Sequence, residues 1–285
     1  MSVFDPLAAA RTAAVGWGLP EPQHLRTGMS SLFLCGDEVV VRIARLAHPP
    51  EAEQQFMAAM RRAGVRVPSM VREAVEVGDG WWAMALERVV AEGSVDWREV
   101  GRLVRAVHSL DPTQFMPLPW CLDFAHWDVE AGLAAVADDI DDAAMAGLRG
   151  ALRRWSEWRT VLSAEPRVLS HGDVHPGNVV PTADGPVLLD WDLRCLAPAG
   201  WDHAALLTWP ERWGGEATMY TNFAAGYGES LRGRAAAECL AELRLVVATV
   251  MRVLAGRTNP AAAAEARVRL GYWRGDANAP QWTAQ

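Results

Sequence analysis

Between Ser170 and Asp192 the sequence SHGDVHPGNVVPTADGPVLLDWD gathers His171, Asp173, His175, Asn178, Asp190 and Asp192. These side chains can move protons and hold cations, and two chemistries would use them. Transfer of a phosphoryl group needs hard oxygen ligands for magnesium and a carboxylate that orients the attacking hydroxyl, a set that Asp173, Asn178 and Asp190 supply. Hydrolysis on zinc needs nitrogen and oxygen donors close together, and His171, Asp173 and His175 stand in an HxDxH pattern. The zinc reading requires further, distant ligands and leaves Asn178 and Asp190 without work.

The elements that must hold these residues can be read around them. The apolar runs RVLS, VV and PVLLD read as short strands between polar loops, with Ala183-Asp184-Gly185 as a turn. Upstream, residues 32–45 read as a hairpin: two β-branched runs joined at Gly36-Asp37, with Val40, Arg42 and Ala44 sharing one face. EAEQQFMAAMRRAG has helical period and ends at Gly64, and it places Glu53 on the face of Phe56, Met57 and Met60. A carboxylate on an apolar face requires a partner. WWAMALERVV reads as a strand leaving this first region, and residues 97 to about 110 as a helix with Val100, Leu103, Val104 and Val107 inward. The chain then reads as helical to about 164, broken by DPTQFMPLPW, and helical again from about 200 with an irregular tail. A strand-rich part followed by a mainly helical part implies an α+β protein of two lobes, 1–90 and 91–285, with ligands held in the cleft.

Composition excludes several classes. A net charge of −8 and a pI near 5.4 oppose nucleic-acid binding and favour cationic partners. No apolar run approaches the ~20 residues of a membrane span, and Asp5 and Arg11 interrupt the N-terminus where a secretory leader needs an apolar core, so the cytoplasm is expected. Cys35, Cys121, Cys195 and Cys239 stand far apart and are expected to be reduced and structural. The chain contains no lysine, so every fixed basic role falls to arginine.

HGDVHPGN followed after a hairpin by LLDWD resembles the aminoglycoside phosphotransferase family, a branch of the protein-kinase-like fold. The resemblance implies a two-lobed α+β enzyme that moves the γ-phosphoryl of ATP, with GTP as the alternative, to a hydroxyl of a small molecule. It implies Asp173 as the catalytic base, Asn178 and Asp190 as magnesium ligands, and His171 as a support of the loop. Further out it implies that Gly28, Met29, Ser30 and Ser31 cover the phosphates, that Arg42 stands where the phosphate-pairing lysine does, and that Glu53 is its helix partner. The backbone of Glu87 and Val89 would hold adenine, His108 matches a histidine the family often carries, and Asp202 resembles a structural aspartate. Together with the acidic balance, the resemblance makes a polar, cationic antibiotic, an aminoglycoside or basic cyclic peptide, the expected acceptor, and a monomer or homodimer the expected state. A sugar or choline-like metabolite is the rival acceptor, and the missing lysine motivates a silent nucleotide-binding module as a third reading. The run Asp138, Asp139, Asp141 and Asp142 is expected to cap a helix, and Trp120, Trp127, Trp209 and Trp213 to be core or to line the acceptor pocket.

Overall fold

The computed structural model describes residues 4–28 and 30–283; Met29 of the expected phosphate loop lies outside the described residues. The chain forms two compact units, one of residues 1–95 with 180–189 and one of 96–179 with 190–285. The first unit thus takes in a segment far from the single break near residue 90 that the sequence suggested.

In the first unit, helix α1 (Pro6–Trp17) starts where the Asp5 carboxylate accepts the amides of Leu7 and Ala8. Strands β1 (Gln23–Thr27), β2 (Ser31–Cys35) and β3 (Val39–Arg45) follow, then α2 (Pro50–Arg62), β4 (Val75–Gly78) and β5 (Trp81–Glu87). The strands make one antiparallel sheet in the order β1-β2-β3-β5-β4. Ala9, Ala10, Ala13 and Ala14 form one face of α1, and their small side chains let the helix lie close on Phe33, Cys35, Val41, Ile43 and Ala83. The hairpin of β2 and β3 forms as read, turning at Gly36 with a φ of 65° that a glycine adopts without strain. Neither α1 nor β1 was legible: an alanine stretch carries little periodic signal, and QHLRT is exposed throughout.

The second unit opens with α3 (Trp97–His108), capped by Asp96, with Val100, Leu103, Val104 and Val107 buried as the spacing predicts. Short helices α4 (Val129–Ala135), α5 (Asp142–Arg154) and α6 (Trp158–Ser163) lead to β6 (Arg167–Ser170). Asp141 caps α5 by accepting the Ala144 amide, so part of the acidic run does the capping expected of it. The chain crosses to the first unit through the ribbon β7 (Val179–Val180) and β8 (Val187–Leu188), then returns to β9 (Cys195–Pro198), which pairs antiparallel with β6. Helices α7 (Gly200–Arg212), α8 (Met219–Tyr227), α9 (Ala235–Gly256) and α10 (Pro260–Arg274) complete it. α3 and α8 approach so closely at Gly101 that a Cβ there would stand 2.0 Å from the Phe223 carbonyl oxygen. All four cysteines are buried and unpaired, and no described helix is long and apolar enough to cross a membrane.

His203, on α7, is fully buried among aromatic rings, with Phe223 and Tyr227 edge-on at 4.9 and 4.5 Å. Its Nδ1 shares a 3.2 Å hydrogen bond with the Tyr220 hydroxyl, while Nε2 has no partner. Burial, aided by the charge of His108 and opposed by Asp202, pushes its pKa down to about 3. The unfolded chain therefore binds a proton here that the folded chain refuses, and stability falls as the pH drops below the ordinary histidine value. Between pH 7.5 and pH 5 the loss from this group is about 2 kcal/mol. His203→Phe, which keeps the ring contacts and removes the titration, is expected to flatten the melting temperature against pH over that interval.

Candidate active site

The site grows out of the end of β6. Ser170 finishes the strand, and the next two backbone amides turn inward: those of His171 and Gly172 both donate to the Asp202 carboxylate at 2.8 Å. Asp202 sits in the first turn of α7 and also takes His108 Nε2 at 3.0 Å. A carboxylate only accepts, so His108 donates through Nε2, while its Nδ1 shares a 2.9 Å hydrogen bond with the Tyr227 hydroxyl. Burial by itself would raise the Asp202 carboxyl; the hydrogen bond and charge of His108, the charge of His171 and the Gly172 amide outweigh it, and the group titrates below the usual carboxylate value. Gly172 adopts a φ of 94°, and its carbonyl accepts Trp201 Nε1 at 3.1 Å. A Cβ on it would meet the Leu193 carbonyl oxygen at 2.0 Å.

The loop so anchored presents Asp173, which is partly exposed. Arg244, from α9, donates through Nη2 to Oδ1 of Asp173. His175 Nε2 lies 3.3 Å from Oδ2, and Asn178 Nδ2 donates both to Oδ2 at 3.2 Å and to the Asp173 carbonyl at 3.0 Å. Burial raises the Asp173 pKa, but Arg244, then His175 and His171, overcome it and hold the carboxyl well below its ordinary range. The His175 ring is fixed from two sides: Nδ1 accepts the Gly177 amide at 3.0 Å, and the ring stacks on Trp209 at 5.1 Å, which stacks in turn on Trp213 at 4.9 Å. Trp213 meets Trp282 edge-on at 5.0 Å, so the row of rings reaches the C-terminal tail. His126, beside Arg244 and Asp173, has its pKa lowered by burial and by the charge of Arg244.

Asp190 opens a short 3-10 turn over Trp191–Leu193 with a left-handed backbone, φ 62° and ψ 69°. Asp79 is the other non-glycine residue at positive φ among the described residues, and such a conformation costs about 1 kcal/mol or more. The turn is stiffened by Trp191, whose ring lies 4.3 Å from that of His171. Asn178 is buried and spends its two amide protons inside the loop, which leaves the Oδ1 oxygen as its donor for a cation. An amide oxygen and a carboxylate suit magnesium completed by phosphate oxygens, so these two residues fit that ion. Zinc fares differently: among the described residues no group of three or more histidine, cysteine, aspartate or glutamate side chains is gathered to hold a metal ion. The Nδ1 atoms of His171 and His175 accept backbone amides within the loop instead.

The remaining expected site residues lie in the first unit. Gly28 and Ser30 form the turn between β1 and β2, where the Gly28 amide donates to the Ser30 carbonyl at 2.9 Å. Ser31 is already the first residue of β2, buried, with its hydroxyl 3.2 Å from that of Thr27. Arg42 stands in β3 opposite Leu32 and Met84, and Glu53 is buried in α2 beside Phe56 and Met60. Glu87 ends β5 and donates its amide to the Ser69 carbonyl at 2.9 Å. Glu87 and Val89 line a cavity of about 590 Å³ together with Val65, Arg66 and Val67. Sequence reasoning missed Arg244 and His126. The signal for Arg244 was slight: it is the one charge in the run LRLVVATV, but it shares its helix with Glu238, Glu242 and Arg252.

Comparison with known proteins gives the chain its family. The model of the phosphotransferase enzyme family matches residues 24–240, about three quarters of the chain. No curated protein sequence matches it significantly. Among solved structures, the GDP and kanamycin complex of APH(2")-IIia is 14% identical with a TM-score of 0.70, over 95% of this chain and 99% of that one. Spectinomycin phosphotransferase APH(9)-Ia, with ADP and spectinomycin, is 14% identical with a TM-score of 0.65, over 90% and 89%. The macrolide 2'-phosphotransferase MphH from Brachybacterium faecium is 16% identical with a TM-score of 0.59, over 93% and 97%. These likenesses establish the fold, α+β and protein-kinase-like, as the sequence motif implied.

Gly172→Ala is expected to strain the backbone and push on Leu193, costing about 2–4 kcal/mol and releasing the loop that carries Asp173. Thermal unfolding measures the first effect. Faster hydrogen exchange at the amides of His171 and Gly172 than in a control, Gly16→Ala, where a Cβ meets nothing, measures the second.

Proposed function

Because the chain belongs to the phosphotransferase enzyme family, we propose that it moves the γ-phosphoryl group of a nucleoside triphosphate, ATP in the first place, to a hydroxyl of a small molecule of the antibiotic kind. The observation that carries this reading is the state of Asp173. It is a carboxylate kept ionised by Arg244 and His175, on a loop fixed from below by Asp202, with the Asn178 amide bound to it. Kanamycin and spectinomycin, the ligands of two structural neighbours, set the kind of acceptor by analogy.

In this reading Asp173 accepts a hydrogen bond from the acceptor hydroxyl and points its oxygen at the γ-phosphorus. A carboxylate with so low a pKa is a weak base, so it chiefly orients the hydroxyl, and the proton passes to it as the new P–O bond forms and the bond to the leaving diphosphate breaks. Asn178 Oδ1 and the Asp190 carboxylate would hold magnesium, which when bound neutralises phosphate charge. The left-handed backbone at Asp190 fixes the direction from which its carboxylate does so. Arg42 pairs with phosphate oxygens in place of a lysine, its forked guanidinium being a good phosphate ligand, with buried Glu53 as its helix partner. The turn at Gly28, Ser30 and Ser31 covers the phosphates, and Glu87 and Val89 contribute the backbone that receives the base. The first unit then serves the nucleotide and the second the acceptor and the chemistry.

Asp173→Ala is expected to lower transfer by at least ~100-fold with nucleotide binding nearly intact, because the carboxylate acts on the acceptor. Asp190→Ala is expected to lose magnesium-dependent nucleotide binding as well. A coupled nucleoside-diphosphate assay over a panel of aminoglycosides, cyclic basic peptides, macrolides and sugars, with calorimetry for the nucleotide, reads both; equal transfer by wild type and Asp173→Ala would defeat the proposal.

A further inference from the structure

The acidic balance of the chain favours a cationic acceptor, yet the carboxylate at the reacting position is already paired with a guanidinium. Asp173 has two oxygens. Oδ1 is taken by Arg244, and Oδ2 faces His175 and Asn178. A hydroxyl that hydrogen-bonds to this carboxylate must share it with one of these groups, so the substituents flanking the hydroxyl arrive within a few ångströms of the guanidinium. His126 adds a half-buried imidazole to the same neighbourhood. The acidic residue nearest in sequence on α9, Glu242, is turned away, holding Arg154 and the Trp155 indole. Net charge over the whole surface steers diffusion, whereas selectivity is decided by the charges that the bound molecule touches.

We propose that Arg244 is a specificity-determining residue of this site: it selects acceptors that carry a neutral polar or anionic group beside the reacting hydroxyl and rejects those that carry an ammonium there. The inference rests on the phosphotransferase reading and refines its substrate class. The guanidinium has five N–H donors, and the bond to Asp173 uses Nη2. Its other donors suit a carboxylate, carbonyl or hydroxyl oxygen on the acceptor, to which an ammonium has no acceptor to offer. Like-charge repulsion then discriminates against the ammonium in the same step. Because α9 fixes the arginine from outside the loop, its position does not depend on the acceptor being present.

The test compares wild type, Arg244→Lys, Arg244→Gln and Arg244→Glu in the presence of magnesium and a non-hydrolysable ATP analogue. Calorimetric dissociation constants are measured for kanamycin as the polycationic probe and glucuronate as the anionic hydroxyl probe. Wild type and Arg244→Lys are expected to favour glucuronate by similar ratios, Arg244→Gln to lose about threefold of that preference, and Arg244→Glu to lose at least about tenfold. A kanamycin preference in wild type, or a ratio of the two constants that is the same in wild type, Arg244→Gln and Arg244→Glu, overturns the assignment; absence of binding by both probes throughout counts as an unchanged ratio. Should Arg244→Glu fail to fold, the shift in Arg244→Gln decides. Failure of wild type to bind the nucleotide analogue with magnesium would strike the phosphotransferase reading itself, while normal nucleotide binding with an unchanged ratio strikes only Arg244.

Discussion

A single buried carboxylate, that of Asp202, fixes the geometry on which the candidate site rests. It is fully enclosed in the second unit and ionised, which is tolerable because three donors converge on it: two amides from the loop and a histidine from α3. The dependence runs both ways. The loop has no regular ladder of its own between β6 and the turn at Pro176–Asn178, so its backbone is held by the carboxylate it surrounds. Removing either side leaves the other as an uncompensated polar group in an apolar interior, the situation that proteins tolerate least. His108 extends the network to Tyr227 and so ties the loop to α8 as well as to α7.

Asp173 stands on this base but owes its charge state to a different source. The loop sets where the carboxylate is; Arg244 and His175 set what it is, a group that stays ionised at any ordinary pH. Position and ionisation are thus controlled by separate elements, α7 beneath the loop and α9 beside it. The two can be altered independently, by substitution at Asp202 or at Arg244.

The sequence made legible what is local. The hairpin of β2 and β3, the apolar face of α3, the cap at Asp141 and the spacing from Asp173 to Asn178 and Asp190 each depend on residues close together in the chain. The physics that shapes them acts over a turn or a strand pair. What it hid is what distance brings together. β9 was unreadable as a strand because CLAP carries no alternation and is specified by its partner β6. α1 was unreadable because alanine spacing is a statement about the sheet it packs on. Arg244 lies 71 residues from Asp173, and nothing in its neighbourhood along the chain says where its charge ends. His203 likewise reads as an ordinary polar residue until its cage of rings is seen. The inclusion of 180–189 in the first unit has the same origin: a short ribbon joins whichever core it touches, whatever lies on either side of it in the chain.

The stacked row from His175 through Trp209 to Trp213 has one more consequence. The imidazole that touches Asp173 is braced through a column of flat surfaces whose far end is Trp282, so the C-terminal tail bears mechanically on a loop far earlier in the chain.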